Sequence, residues 1–287
     1  MTQLRLPAPG KLNLLLHITG QRADGYHELE TLFQFIDLAD ELLFQLNSNG
    51  EIELTPELPD VALEDHLVWR AAKKLAPLRA SPQVGITIQL QKNLPMGGGL
   101  GAGSSDAATT LLALNQLWQL NLTLEQLAVI GLELGADVPV FVKGHSAWAT
   151  GIGEQLTPLA CPEIYYLLIH PGCHCPTARF FQHPELPRST PSIQPEQSAA
   201  FIGSNDFSDL AKQLFPSIAA GLKWLEDQGL KACLTGTGAC IYAPLTSLQQ
   251  GQALVKQLPT HFAEQPTQGW VVRGRNQSPA HLALNLI

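Results

Sequence analysis

Pro95-Met96-Gly97-Gly98-Gly99-Leu100-Gly101-Ala102-Gly103-Ser104-Ser105-Asp106 joins two segments of different period. Before it, Val84, Ile86, Ile88 and Leu90 alternate as in a half-buried strand; after it, Ala107, Ala108, Leu111, Leu112, Leu114 and Leu117 recur at helical spacing. The stretch therefore predicts a strand, a glycine loop and a helix from about Ser104 to Trp118, with Ser-Ser-Asp supplying cap-type residues at the helix start. Glycine admits positive φ and close backbone approach, and the first amides of a helix are unpaired and partly positive, so this makeup cradles an anion such as a phosphate. Two common phosphate loops fit poorly. Gly98 and Gly103 have the spacing of a Walker loop, but Ser104 stands where that loop needs lysine. A dinucleotide fingerprint forced onto Gly97, Gly99 and Ala102 meets Pro95 at the strand-to-turn junction and finds no acidic residue ending a second strand.

With its surroundings the loop resembles the nucleotide loop of the GHMP kinases. Four further blocks follow the same order: Ala8 to Leu14, Arg22 to Leu29 with its Asp-Gly-Tyr-His core, Gly135-Ala136-Asp137-Val138-Pro139, and Leu234 to Cys240. The Asp-Gly-Tyr-His block resembles the branch whose acceptor is a cytidine-diphosphate-linked methylerythritol. The resemblance thus implies ATP-dependent phosphorylation of that acceptor's 2-hydroxyl, in the non-mevalonate isoprenoid pathway, with Mg²⁺ delivered on the nucleotide. It also implies an α+β fold of two domains, one ribosomal-S5-like (1–155) and one ferredoxin-like (156–287), with the active site between them. Ala102, where many relatives carry glycine, is a small departure. Two rivals are a superfamily kinase acting on another alcohol, such as homoserine or a mevalonate derivative, and a non-catalytic nucleotide-binding protein on the same scaffold.

The whole chain is consistent with this. Its 287 residues, 45% hydrophobic, suffice for one large or two medium cores. A formal charge of −8, from 25 acidic against 17 basic residues, argues against a nucleic-acid or anionic-membrane partner, so any phosphate must be held locally. No apolar run approaches the ~20 residues of a membrane span and Met1-Thr2-Gln3 does not start a signal peptide, so the expected location is the cytoplasm. Five cysteines, unevenly spread, do not form a disulfide framework. His170, Cys173, His174 and Cys175 crowd together, but no second ligand pair lies at zinc-site spacing, and no metal is expected there.

Irregular alternation of strands and helices favours α+β over a doubly wound sheet. Strands are expected over Leu12 to Ile18, Thr31 to Ile36, Glu51 to Leu54 and Lys231 to Leu234, with Gln21 to Gly25 as a turn. Helices are expected over His66 to Leu75, Leu124 to Leu134 behind Thr123, and Asp206 to Gln228 before Gly229. Leu186 to Ser204, rich in Pro, Ser and Gln, is expected to be a loop, and the domain boundary falls near Glu154 to Pro162.

Phosphoryl transfer needs an aligned acceptor, neutralised charge and a proton acceptor. By resemblance Asp137 is the candidate base; from the residues alone, an Asp two places before Pro139 would as readily cap a helix. Lys11, in a segment short of charge, is expected at a strand end facing the cleft, where by resemblance it lowers the pKa of Asp137 and polarises the reacting groups. The resemblance assigns the ATP phosphates to Pro95, Met96, Gly97, Gly98, Gly99, Leu100, Gly101, Ala102, Gly103, Ser104 and Ser105. It assigns the acceptor to Asn13, Tyr26, His27, Phe181 and the Gly236-Thr237-Gly238 turn, with Phe180 as a substitute for Phe181. Stacking on an aromatic face and hydrogen bonds to the edge are how a flat base such as cytosine is recognised.

Overall fold

Two long strands carry the architecture. In the computed structural model, which describes residues 2–56 and 61–286, β1 (Gln3–Gln21) and β2 (His27–Asn47) pair antiparallel on either side of the turn. They are far longer than the pieces expected from alternation, for two reasons. Ala8 to His17 is buried on both faces, which erases the period-two pattern, and register shifts at Pro9/Lys11, Asn13/Leu15 and Ile18/Gly20 break what remains.

β3 (Ile52–Thr55) runs parallel to β4 (Gly85–Gln91), which pairs antiparallel with the far end of β2. Between them lies α1 (Leu67–Leu75), started by the His66 side chain accepting from the Val68 N–H at 3.2 Å. Then come α2 (Ala102–Leu117), α3 (Leu124–Leu132) and α4 (Val138–Lys143). Thr123 and Gln126 close a reciprocal capping box on α3, as the Thr123 signal predicted. β5 (Ala147–Thr150) pairs with β2 and with β6 (Gln155–Pro158). These elements enclose a core that includes Phe35, Phe44, Ile88, Leu111, Leu114 and Phe141.

The second half contains β7 (Tyr165–His170), α5 (Thr177–Phe181), α6 (Ser208–Leu214), α7 (Pro216–Asp227), β8 (Cys233–Leu234), β9 (Ile241–Leu245), α8 (Leu248–Gln257), the small β10 (His261–Phe262) and β11 (Gln265–Pro266) pair, β12 (Gln268–Arg275) and α9 (Pro279–Leu284). The single helix expected over Asp206 to Gln228 is broken. Pro216 cannot donate and forces Phe215 into an extended conformation, so α6 stops and α7 restarts with Pro216 as its first residue. Residues 195–201 of the expected loop form a 3₁₀ turn, and the Lys231 to Leu234 strand shortens to β8. A second core, including Phe180, Phe207, Ile218, Leu222 and Ile241, lies under α6 and α7.

One sheet in the order β3-β4-β2-β12-β7-β9-β8 runs through both halves, with β1 and β5 also on β2. β12 is the junction: residues 268–273 pair with β7, and Gly274 and Arg275 pair with Ile36 and Phe35 of β2. A third core of Leu12, Leu14, Leu32, Leu168 and Tyr242 lies along this junction and includes Leu100 of the glycine loop. Burying Leu100 contributes about 2 kcal/mol, offsetting part of the entropy of ordering a loop rich in glycine. The last helix, α9, returns to the first core through Leu284, and His281 Nε2 bonds the Val142 carbonyl at 2.8 Å. Among the described residues no helix is long and apolar enough to cross a membrane.

Candidate active site

Lys11 does not emerge at a strand end; it sits mid-way along β1 at a register shift, its side chain 4% exposed. A buried ammonium is tolerated only when paired and hydrogen-bonded. Here Nζ donates to Asn13 Oδ1 at 2.6 Å and to the Gly99 carbonyl at 3.1 Å, and lies 3.4 Å from Asp137 Oδ2 and 5.3 Å from the centre of the Phe33 ring. Asn13, two residues on and so on the same strand face, is itself fixed: Nδ2 donates to Thr31 Oγ1 at 2.8 Å, and the Thr31 hydroxyl donates to the Leu15 carbonyl at 2.6 Å. The Asn13 N–H donates to Thr235 Oγ1 at 3.0 Å, tying β1 to the segment after β8.

Asp137 occupies the position before α4, but its side chain makes no capping bond. Its carboxylate, about a third exposed, turns to Lys11 instead.

The glycine loop is held rather than loose. The Lys11 N–H donates to the Leu100 carbonyl at 2.9 Å, while the Ala239 and Cys240 amides donate to Gly97 and Gly98 carbonyls at 3.2 and 3.1 Å. Gly99 (φ +72°) and Gly101 (φ +68°) lie in the left-handed region, and a Cβ on Gly99 would stand 2.3 Å from the Thr235 carbonyl oxygen. Gly101 is the N-cap of α2, so Ser104, Ser105 and Asp106 belong to the helix rather than to its cap. The amides of Ala102, Gly103 and Ser104 precede the Ser105 N–H to Gly101 carbonyl bond at 2.8 Å, which places the free donors of α2 at the loop.

A cleft of about 590 Å³ collects these groups: Lys11, Asn13, Asp137, the whole of Pro95 to Ser104, Phe181, Gly236 and Thr237 line it. Four expected residues stand off its walls: Ser105, Gly238, Tyr26 and His27. Ser105 is fully buried with an Oγ that has no partner, Gly238 packs toward Cys175, and Tyr26 is 60% exposed at the β1–β2 turn. His27 stands behind Phe181, ring centres 5.0 Å apart, and burial followed by the Arg188 charge holds its pKa below the ordinary 6.5. Phe180 stacks on Phe215 in the second core, so Phe181 is the aromatic at the cleft.

Several contributors went unread in the sequence. Lys92 bridges two buried carboxylates, Asp106 at 2.8 Å and Asp40, while Asp40 Oδ1 accepts from the Asn93 and Leu94 amides at 2.6 and 2.7 Å, fixing the entry to the loop. Burial pushes the Asp106 carboxyl up to about 7, with Lys92 opposing. Thr31, Thr235 and Arg188 likewise lie outside the expected site; of these three only Thr235 falls within one of the ordered motifs, Leu234 to Cys240. Among the described residues no group of three or more His, Cys, Asp or Glu is arranged to hold a metal ion.

Profiles of two families, GHMP kinases N terminal domain and GHMP kinases C terminal, match residues 66–145 and 196–264. The chain belongs to the GHMP kinases. It is 49% identical over its full length, and 96% of the relative's, to a 4-diphosphocytidyl-2-C-methyl-D-erythritol kinase of Chromohalobacter salexigens. It is 47% identical over 99% of its length, and 92% of the relative's, to the kinase of that name from a Marinomonas species. A crystal structure of 4-(cytidine 5'-diphospho)-2C-methyl-D-erythritol kinase superposes with a TM-score of 0.80 at 31% identity, covering 94% of this chain and 99% of that one. Homoserine kinase from Cytophaga hutchinsonii, at 19% identity and a TM-score of 0.65 over 96% of each chain, shares the fold. As a GHMP kinase the protein is an ATP-dependent kinase of small molecules with a mixed α+β fold.

Proposed function

We propose that the protein transfers the γ-phosphoryl group of ATP to the 2-hydroxyl of 4-diphosphocytidyl-2-C-methyl-D-erythritol, yielding the 2-phosphate and ADP. The observation that carries this is the meeting of three parts in one cleft: the glycine loop, the Lys11–Asp137 pair and the Phe181 wall with His27 behind it.

Each part has a distinct task. The loop carbonyls are engaged by protein, leaving the Ala102, Gly103 and Ser104 amides for triphosphate oxygens. Asp137 receives the acceptor proton, and Lys11, already oriented by Asn13 and Gly99, faces the charge that develops on the transferring group. Asn13, Gly236 and Thr237 flank the acceptor's phosphates and polyol. Tyr26, free to turn at the hairpin tip, and Phe181 enclose the base, and His27 reads its edge. Mg²⁺ carried in on ATP would neutralise triphosphate charge; the Ser104 hydroxyl and the Asp137 carboxylate are a sparse oxygen set that suits an ion keeping most ligands from phosphate and water. We place the domain division at 155/156, supported by a first core drawn almost wholly from residues before it, joined by Leu284 of α9, and a second drawn mostly from residues after it, joined by Leu16 and Ile18 of β1. The charge of −8 supports a small-molecule partner over a nucleic acid or an anionic membrane.

An ADP-release assay over the cytidine substrate, its uridine counterpart, homoserine and mevalonate tests the reading. Fast turnover with the cytidine substrate, much slower turnover with its uridine counterpart and none with homoserine or mevalonate are expected; turnover on homoserine or mevalonate in place of the cytidine substrate would overturn it.

A further inference from the structure

Arg188 lies in the Pro- and Ser-rich stretch after α5, a setting that marks it as an ordinary surface charge, yet all five of its N–H groups are committed. Nε donates to His27 Nε2 at 3.2 Å. One terminal nitrogen donates to the Leu186 and Pro184 carbonyls at 3.0 and 3.4 Å, the other to those of His183 and Phe181 at 2.8 and 3.1 Å. One side chain therefore ties the two sides of the proposed base pocket together: the hairpin that carries His27, and the end of α5 that carries Phe181.

The bond to His27 has a chemical consequence. A guanidinium has no lone pair to offer and stays protonated, so in this pair Nε2 must be the acceptor. A ring whose Nε2 accepts is neutral and carries its proton on Nδ1. Among the described residues Nδ1 has no protein partner. Free neutral imidazole takes either tautomer, so without Arg188 the ring would present a donor or an acceptor as the occasion demanded.

We infer that Arg188 is a positioning residue for pyrimidine selection: it holds His27 as the Nδ1–H tautomer against Phe181, so that the pocket offers a fixed donor to an unprotonated ring nitrogen. Cytosine presents such a nitrogen at N3; uracil presents N–H at the same place, donor against donor, and is rejected. Burial and the Arg188 charge keep His27 below its ordinary 6.5, which guards the neutral form. The inference rests on the cytidine-directed reading above and adds the origin of its selectivity.

The test uses full-length protein with ¹⁵N-labelled histidine. Two-bond ¹⁵N–¹H spectra of the wild type are expected to show His27 with a protonated Nδ1 and an unprotonated Nε2; a protonated Nε2 would overturn the inference without any variant. Arg188→Lys, which keeps the charge but loses the planar fork, is expected to raise KM for the cytidine substrate about tenfold and cut the preference for cytidine over uridine by at least as much. KM for ATP should stay within about twofold and kcat within about threefold, since neither involves this pocket. Arg188→Gln, isosteric in part and able to donate one bond, should recover some of the preference. Unchanged base preference in both variants would sink the inference while leaving the kinase reading intact. If instead the wild type itself ignores the base, the cytidine-directed reading fails with it.

Discussion

Lys11 Nζ and Asp137 Oδ2 stand 3.4 Å apart, the lysine almost wholly buried and the aspartate open to the cleft. The lysine is held by Asn13 and Gly99 whether or not Asp137 is present, so its charge is preorganised and costs no rearrangement at the moment of transfer. Lys11→Ala and Asp137→Asn are each predicted to lower kcat about a hundredfold or more while changing KM for ATP less than about threefold. Steady-state kinetics with both substrates varied decides it. Parallel losses in kcat and ATP binding would show the pair to be part of the nucleotide cradle instead.

Gly99 is the loop glycine whose Cβ would meet backbone most closely. Its left-handed backbone and the Thr235 carbonyl 2.3 Å from a would-be Cβ leave no accommodation, because the obstacle is backbone. Gly99→Ala is predicted to cost about 1–3 kcal/mol of stability and to raise KM for ATP about tenfold or more. Gly103→Ala is the control: it lies inside α2, and its Cβ would meet only the flexible end of Leu67 at 3.3 Å. Stability there should hold within about 1 kcal/mol, as judged by urea unfolding.

Asp106 supplies a pH signature. Its carboxyl ordinarily titrates near 3.8, and burial raises it to about 7 in the folded protein. Between those values the native state holds the proton more firmly than the unfolded chain, so the contribution of this group to stability is largest at the acid end, falls as pH rises, and is flat above the folded value. Asp106→Asn cannot titrate. The melting temperature of the wild type relative to the variant is therefore predicted to fall as pH rises through that window; a rise would show that Lys92 governs the site and that the buried carboxylate is ionised throughout.

What could be read from the sequence was local. The glycine loop, the Thr123 cap and the Gln21 to Gly25 turn declare themselves within a few consecutive residues, and each appears close to where its local chemistry puts it. The burial of Lys11 did not, because Ala8 to His17 of β1 and Glu30 to Ile36 of β2 are covered on both faces, where alternation carries no information. The Lys92, Asp40 and Asp106 cluster and the Arg188–His27 bond join residues 14 to 161 positions apart. No spacing rule reaches across such gaps. Pro216 is the local mark of the break between α6 and α7, a proline inside a run expected as one helix.

The five thiols differ sharply. The neighbouring Cys175 thiol is the main cause that draws the pKa of half-buried Cys173 down to about 6, with Ser217 and its own backbone amide also acting, against the opposing effect of burial. Burial alone lifts Cys161 to about 11, and it is the main cause of the similar value for Cys233. Cys173 is predicted to be the first residue carbamidomethylated at neutral pH, as read by peptide mass spectrometry. Labelling of Cys161 or Cys233 ahead of it would contradict the assignment.

Phe180 and Phe181 are adjacent in sequence and opposite in task. Phe180 stacks on Phe215 at 5.7 Å and meets Phe207 edge-on, wholly buried, whereas Phe181 lines the cleft with His27 behind it. Removing the first ring leaves a cavity in the second core; removing the second takes away a face on which a base can stack. Phe180→Ala is predicted to destabilise the fold by about 3–5 kcal/mol. Phe181→Ala should cost far less stability and instead raise KM for the cytidine substrate about tenfold, with kcat and KM for ATP little changed. Thermal melts and acceptor titrations on the two proteins separate these outcomes, and a Phe181 variant that melts early but binds the acceptor normally would return this residue to the core.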